Sequence, residues 1–342
     1  MSKWDTDRGD RLPSDAPPAK PRRLRRWLVR GIVALLILLV LAEVVSRFFG
    51  LGNPPLYVAD DQIEYMPRPS SEYRRFGRRT AYNAYSMRSD ELTLAKQDPG
   101  ELRVMVLGDS VINGGAIIDQ SDVATERLRK RLSAVLGTDV YVGNISCGSW
   151  GPGNLLAYVK RFGLFDADVV VIELNGPDYA DVPTFAPIVG TPAFPDKRPM
   201  FALTELFAKY GPRYLRLWTR GSKRPGARAE GVGPEVVEKS LAALRELLGM
   251  ARDSGATVFV AQYLMRAEAE SRKPHKGHAA FAEVVEQMGL ATIQLGPAFS
   301  DALDEGRVPY IGPIHPDAEG QKLIADALFE PVLRALEAKT GQ

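Results

Sequence analysis

Two side chains able to do nucleophilic and acid–base chemistry stand at the ends of otherwise apolar stretches. Ser110 closes "RVMVLGDS", in which Val104, Met105, Val106 and Leu107 run into Gly108 and Asp109. His315 stands in "YIGPIHPDAEGQKLIADAL", directly before Pro316 and a long amphipathic pattern. Alone, Gly-Asp-Ser is good turn chemistry, with Asp109 accepting local turn hydrogen bonds, and a histidine before a helix is an ordinary capping or packing residue. Together they supply a hydroxyl and a proton acceptor, the minimum for nucleophilic attack on an ester carbonyl. That chemistry requires a Ser110–His315 separation of about 2.6–3.2 Å.

Other chemistries lack their signatures. There is no G-x-S-x-G, so the nucleophile elbow of α/β-hydrolases is absent. G-x-x-x-x-G-K-[ST] and H-E-x-x-H are absent as well. His275 and His278 have a helical metal-binding spacing, but no third ligand is near and "SRKPHKGH" reads as a polar surface turn. No metal and no cofactor are expected.

The elements that must position Ser110 and His315 show as an alternation. Apolar strand patterns lie at 103–107, 140–144, 169–174, 257–261 and 292–295, and helical patterns at 121–136, 154–162, 234–254, 277–288 and 316–337. Strands alternating with helices predict βαβ units and a parallel sheet covered on both faces. In such a sheet the end of the first strand and the start of the last helix share the C-terminal edge, where ligands bind. Residues 179–233 break the alternation with prolines at 183, 187, 192, 195, 199 and 212 and with Lys197, Arg198, Arg220, Lys223 and Arg224. An insertion of that length is a substrate-covering lid or a mobile surface loop.

Ahead of this domain, "LVRGIVALLILLVLAEVVSRFF" at 28–49 is long enough as a helix, about 33 Å, to cross a bilayer. Arg22, Arg23, Arg25 and Arg26 precede it and predict a cytoplasmic N-terminus. Cleavage after Ala42, as for a signal peptide, is the rival reading; the long Pro-rich leader favours an uncleaved anchor. The expected organisation is a disordered cytoplasmic leader at 1–26, an anchor at 27–49, a connecting region at 50–100, and the α/β domain at 101–342 with its insertion at 179–233. The expected location is therefore the inner (cell) membrane, single-pass, with the domain on the periplasmic side. Net charge is only +2, which argues against a nucleic-acid partner, and a single cysteine, Cys147, excludes an internal disulfide.

The blocks "VMVLGDSVINGG", "VGNISCGSWGPGNLL", "VVVIELNGPD" and "IHPDAEGQKLIAD" resemble, in order, the four blocks of the SGNH (GDSL-type) esterase and acyltransferase superfamily. The resemblance covers 103–335. It implies a flavodoxin-like three-layer α/β/α sandwich with a five-stranded parallel sheet of order 2-1-3-4-5, preceded by one transmembrane helix. It implies Ser110 as nucleophile and His315 as base, with an oxyanion hole formed by the N–H of Ser110, Gly148 and Asn175. Each such donor is worth roughly 10²–10³ in rate. The anchored layout, with "YNAYSMRS" ahead of the first strand, further resembles membrane-bound relatives that accompany bacterial exopolysaccharide machinery. The expected partners are accordingly an acylated carbohydrate or other small ester, the membrane, and a polysaccharide-synthesis complex.

The match departs from the pattern at three places. The last block is usually Asp-x-x-His, but Gly312 stands three residues before His315, leaving a backbone carbonyl or Asp304 to orient the imidazole. In the third block Pro177 precedes Asp178 where asparagine is usual, which moves the donor role to Asn175 or leaves that residue as a structural strand end. In the second block, counting from Asn144 favours Ser149 and counting back from Leu155 favours Gly148, the residue that lets substrate approach the backbone. Trp150 beside it is a sugar platform or a core residue. Two functions follow: an anchored serine esterase or O-acyltransferase for an acylated extracytoplasmic glycan, or a catalytically weakened binding or assembly subunit of an exopolysaccharide complex.

Overall fold

The computed structural model describes residues 22–206 and 233–341. The leader at 1–21, and with it most of the expected disordered segment, lies outside the described residues, as does the 207–232 part of the insertion. The chain divides into two compact units, residues 1–45 and residues 46–342. The first contains most of helix α1 (Arg22–Phe48). Its Arg25–Phe48 stretch, whose most apolar 18-residue window has a mean hydropathy of 2.7, is long and apolar enough to cross a membrane.

The second unit is built on a five-stranded parallel sheet. Its strands are β5 (Leu102–Gly108), β6 (Val140–Ser146), β7 (Val169–Asn175), β8 (Thr257–Tyr263) and β9 (Ala291–Gln294), in spatial order β6-β5-β7-β8-β9. This is the 2-1-3-4-5 order of the flavodoxin-like sandwich. Each strand lies within two residues of its expected bounds, and most extend further at the C-terminal end, where polar side chains interrupt the apolar pattern.

The central strands are buried on both faces, which is why they read as continuous apolar runs. Met105, Leu107, Val170 and Ile172 join a core with Leu155, Leu247 and Phe281 from the helices Pro152–Phe162, Pro234–Asp253 and Lys276–Gln287. Val104, Val106, Val169 and Val171 face the other way, onto Leu128 of Ala124–Leu136 and onto Ile324 and Leu328 of Ala318–Thr340. Each fully buried side chain of this kind contributes about 1.5–3 kcal/mol. Two solvent-excluded layers therefore hold the strand ends rigid.

Residues 57–82, poor in apolar runs, fold as two antiparallel hairpins. One pairs β1 (Tyr57–Asp60) with β2 (Glu64–Pro67), and the other pairs β3 (Ser71–Arg75) with β4 (Arg78–Tyr82). The described start of the insertion lies against the first hairpin. Tyr57 N–H donates to the Pro195 carbonyl at 2.8 Å, and Thr184 and Phe185 N–H donate to the Glu64 carboxylate at 3.0 and 2.8 Å.

Candidate active site

Strand β5 ends at Gly108, and the chain turns at once into α2 (Ser110–Asn113), a single helical turn capped by Asp109. Asp109 Oδ1 accepts from Val111 N–H at 2.7 Å, and Gly114 closes the turn at φ +67°, a left-handed conformation that favours glycine. This places Ser110, half-buried, at the C-terminal edge of the first sheet strand.

His315 reaches the same place from the far end of the chain. Residues Tyr310–Ile311 (β10) and His315–Pro316 (β11) pair as a short hairpin, with Gly312 in its turn at φ +72°. The hairpin is fastened to the end of β8, because Tyr263 OH donates to the Ile314 carbonyl at 2.6 Å and Tyr310 OH donates to the Leu264 carbonyl at 2.9 Å. The last helix begins only at Ala318, capped by Asp317, so Pro316 belongs to the hairpin and not to the helix as its position suggested. His315 Nε2 lies 3.0 Å from Ser110 Oγ.

A buried glutamine connects the two elements. Gln321 Nε2–H donates to the Val111 carbonyl at 2.7 Å, and Gln321 Oε1 accepts from Ala124 N–H at 2.8 Å. The last helix thereby grips both the turn that carries Ser110 and the helix that follows it.

The other sequence-selected residues fall around this pair. Asn175 ends β7 and donates from Nδ2 to Asp109 Oδ2 at 3.0 Å. Asp178 Oδ2 accepts from Asn175 N–H at 2.9 Å, so it shapes the turn after β7. Gly148 follows β6, and a side chain there would meet no atom within 4 Å, which leaves open space beside its backbone. Ser149 next to it is exposed, at φ +61°. Both carbonyls accept from Tyr65 OH, at 2.8 and 3.2 Å, so the first hairpin anchors this turn.

Two open alternatives are decided and one expectation is corrected. Trp150 is no sugar platform: it is fully buried, and its indole N–H donates to the Tyr65 carbonyl at 2.9 Å. Asp304 does not orient the imidazole, since it is exposed and paired with Arg272 at 2.6 Å. "SRKPHKGH" is not wholly a surface turn, because His278 is buried with Nε2 3.4 Å from Glu268 Oε1, and no metal-ligand cluster occurs among the described residues. The second imidazole nitrogen of His315 has no carboxylate on it among the described residues.

Two residues that sequence reasoning did not select support the site from below. Arg88, in "YNAYSMRS", is completely buried and donates to the carbonyls of Asn113, Gly115 and Ile118 and to Gln120 Oε1. It thereby braces the loop after Ser110. Glu173 is buried beneath Gly108 with no hydrogen bond to its carboxyl oxygens; a side chain at Gly108 would come within 2.7 Å of Glu173 Oε2. Burial, then the neighbouring Asp109 and Asp178, pushes the Glu173 carboxyl well above the usual range. Burial also raises Asp109, against the Val111 N–H and nearby His315, which favour its anion. Cys147, fully buried one residue before Gly148, has its thiol pushed up chiefly by burial.

No curated protein matches the chain. Among solved structures it is similar to the psychrotrophic esterase EstA from Pseudoalteromonas sp., at 15% identity and TM-score 0.42 over 69% of this chain and 100% of that one. It is also similar to a catalytic mutant of the acetylxylan esterase Axe2 from Geobacillus stearothermophilus, at 14% identity and TM-score 0.44 over 69% and 94%. A third is LAE5, an alpha/beta hydrolase enzyme from the metagenome of Lake Arreo, at 15% identity and TM-score 0.44 over 69% and 96%. The sequence model of the GDSL-like lipase/acylhydrolase family matches residues 106–323, which include Ser110, Gly148, Asn175 and His315. By that match, the chain belongs to the GDSL-like lipase/acylhydrolase family and is an ester hydrolase.

Proposed function

We propose that the protein is a membrane-anchored serine esterase or O-acyltransferase acting on an acylated glycan outside the cytoplasm. The observation that carries the chemistry is the 3.0 Å approach of His315 Nε2 to Ser110 Oγ at the C-terminal edge of the sheet. With its proton on Nδ1, the imidazole accepts the Ser110 hydroxyl proton as Oγ attacks the ester carbonyl carbon. The oxyanion forms against the N–H of Ser110 and Gly148 and the side-chain amide of Asn175. Collapse breaks the bond to the leaving alkoxide, which takes the proton from His315, and an acyl group remains on Ser110. Water or a sugar hydroxyl then attacks that acyl group, giving up its own proton to His315; the Ser110 Oγ–acyl bond breaks, the product leaves, and Oγ takes the proton back from His315. Hydrolysis and transfer differ only in this acceptor.

The open space beside Gly148 supports substrate approach from that side. The apolar helix with arginines before it supports anchoring with the domain outside the cytoplasm. The glycan rests on the likeness of the anchored layout to exopolysaccharide-associated relatives.

The lack of a carboxylate on the second nitrogen of His315 among the described residues favours one rival, a catalytically weakened subunit that binds or assembles rather than turns over. In serine proteases, loss of the orienting carboxylate costs roughly 10⁴-fold. The full chain in detergent, assayed on a small acetyl ester, separates the two. Turnover that Ser110→Ala abolishes supports the enzyme, and equal background rates for wild type and variant support the subunit. Mass analysis of an oligosaccharide acceptor after the reaction then distinguishes transfer from hydrolysis.

A further inference from the structure

Where the chain enters the second unit it carries exposed apolar side chains that the active site does not use. Phe48 is 84% and Met200 81% exposed, and Phe49, Phe76 and Phe201 are exposed beside them. They come from three segments locked together. Phe76 N–H donates to the Phe49 carbonyl at 2.8 Å, and Arg47 Nη2–H donates to the Met200 carbonyl at 2.6 Å. Glu205 takes Gly52 N–H at 2.7 Å and Arg75 Nη2–H at 2.6 Å; Arg75 is buried and Glu205 partly buried.

A largely buried ion pair with further hydrogen bonds fixes this collar as a shaped surface. Five large apolar side chains in one place are more than the scattered exposure normal for a soluble surface. Arg78, Lys197 and Arg198, all exposed, lie in the same segments or within a few residues of them.

We infer that this collar seats the second unit on the lipid headgroup layer, with its aromatic and methionine side chains in the interface and its cations on anionic headgroups. The inference rests on reading Arg25–Phe48 as an uncleaved anchor. If that helix crosses the bilayer, Phe48 and Phe49 emerge at its boundary, and the hydrogen bonds above bring Phe76, Met200 and Phe201 to the same level. Aromatic residues are enriched at that depth, and each Lys or Arg near an anionic surface contributes about 1 kcal/mol. A bilayer thus matches the collar both in polarity and in charge. The domain then faces its substrate in a fixed orientation rather than swinging on a tether.

The test uses the full chain in vesicles of phosphatidylcholine and phosphatidylglycerol that carry a lipid-borne quencher. Cys147 is buried, so a thiol-reactive fluorophore labels an introduced surface cysteine selectively. Phe76→Cys and Phe201→Cys report the collar independently. Lys130→Cys and Glu283→Cys, exposed on helices that cover opposite faces of the sheet, are the controls. Esterase activity on a small acetyl ester checks that each variant is folded. We expect several-fold stronger lipid quenching at positions 76 and 201 than at either control. Chain that floats with the vesicles but shows equal quenching at all four positions overturns the collar and leaves the anchor standing. Chain that does not float overturns both. Shielding of positions 76 and 201 from aqueous iodide without lipid quenching shows a second copy or a partner protein on the collar, and overturns the bilayer as its occupant.

Discussion

Asn175 Nδ2 donates to Asp109 Oδ2 at 3.0 Å, which joins the residue ending one sheet strand to the residue that precedes Ser110 on its neighbour. The contact aims the carboxamide at the turn that carries the Ser110 hydroxyl. If Asn175 stabilises the oxyanion, Asn175→Ala lowers kcat by roughly 10²–10³ with KM within a few-fold of wild type. Steady-state kinetics on an acetyl ester decide this, and an unchanged kcat removes Asn175 from the reaction.

Ser110 and His315 act as a unit in the proposed chemistry. Ser110→Ala and His315→Ala each reduce turnover by roughly 10³-fold or more, and the double variant loses little beyond either single one. Circular dichroism checks the fold in parallel, since neither side chain belongs to the core. Losses that multiply in the double variant argue against proton exchange between the two.

Glu173 makes stability depend on pH. Its carboxyl is held well above its ordinary range by burial and by Asp109 and Asp178, so the folded chain keeps this proton when the unfolded chain has lost it. Its contribution is therefore complete below the ordinary carboxylate range and is lost as pH rises toward the raised folded value. Glu173→Gln, neutral at every pH, removes that loss. In urea titrations the variant matches wild type near pH 4 and becomes progressively more stable than it toward neutral pH. Parallel stability curves contradict the buried proton.

Arg88 spreads a buried guanidinium over backbone carbonyls, with no carboxylate among its hydrogen-bond partners in the described residues. Arg88→Met strands those carbonyls and costs about 2–4 kcal/mol by chemical denaturation. Arg88→Lys recovers only part of this, because an ammonium cannot fan out over the same acceptors. Because the braced loop directly follows Ser110, kcat falls in both variants further than KM rises.

The sheet was legible because its central strands are buried on both faces and so read as unbroken apolar runs. The positions of Ser110 and His315 were legible too, since each closes such a run or opens the next element. What holds them together was not. Gln321 lies inside a quoted block, yet nothing in its spacing says that it reaches Val111, more than two hundred positions away. Tyr65 and Arg88 come from a region with few apolar runs, whose Ile63, Tyr65, Met66 and Met87 join the core on one face of the sheet. His278 looked accessible and Trp150 was open to either reading because their neighbours are glycine, serine and lysine, and chain folding buried both. Local pattern reports periodicity, whereas these contacts are decided by packing between distant segments.

Cys147 lies sealed one position from the turn that ends in Gly148, and it is the chain's single sulfhydryl. The folded molecule therefore gives an oxidant nothing to couple and a reductant nothing to cleave. Dimers linked through sulfur do not form without unfolding, and refolding involves no shuffling of cross-links. The fold rests on packed side chains, hydrogen bonds and ion pairs rather than on cross-links, so the thiol–disulfide poise of the surrounding compartment does not alter it.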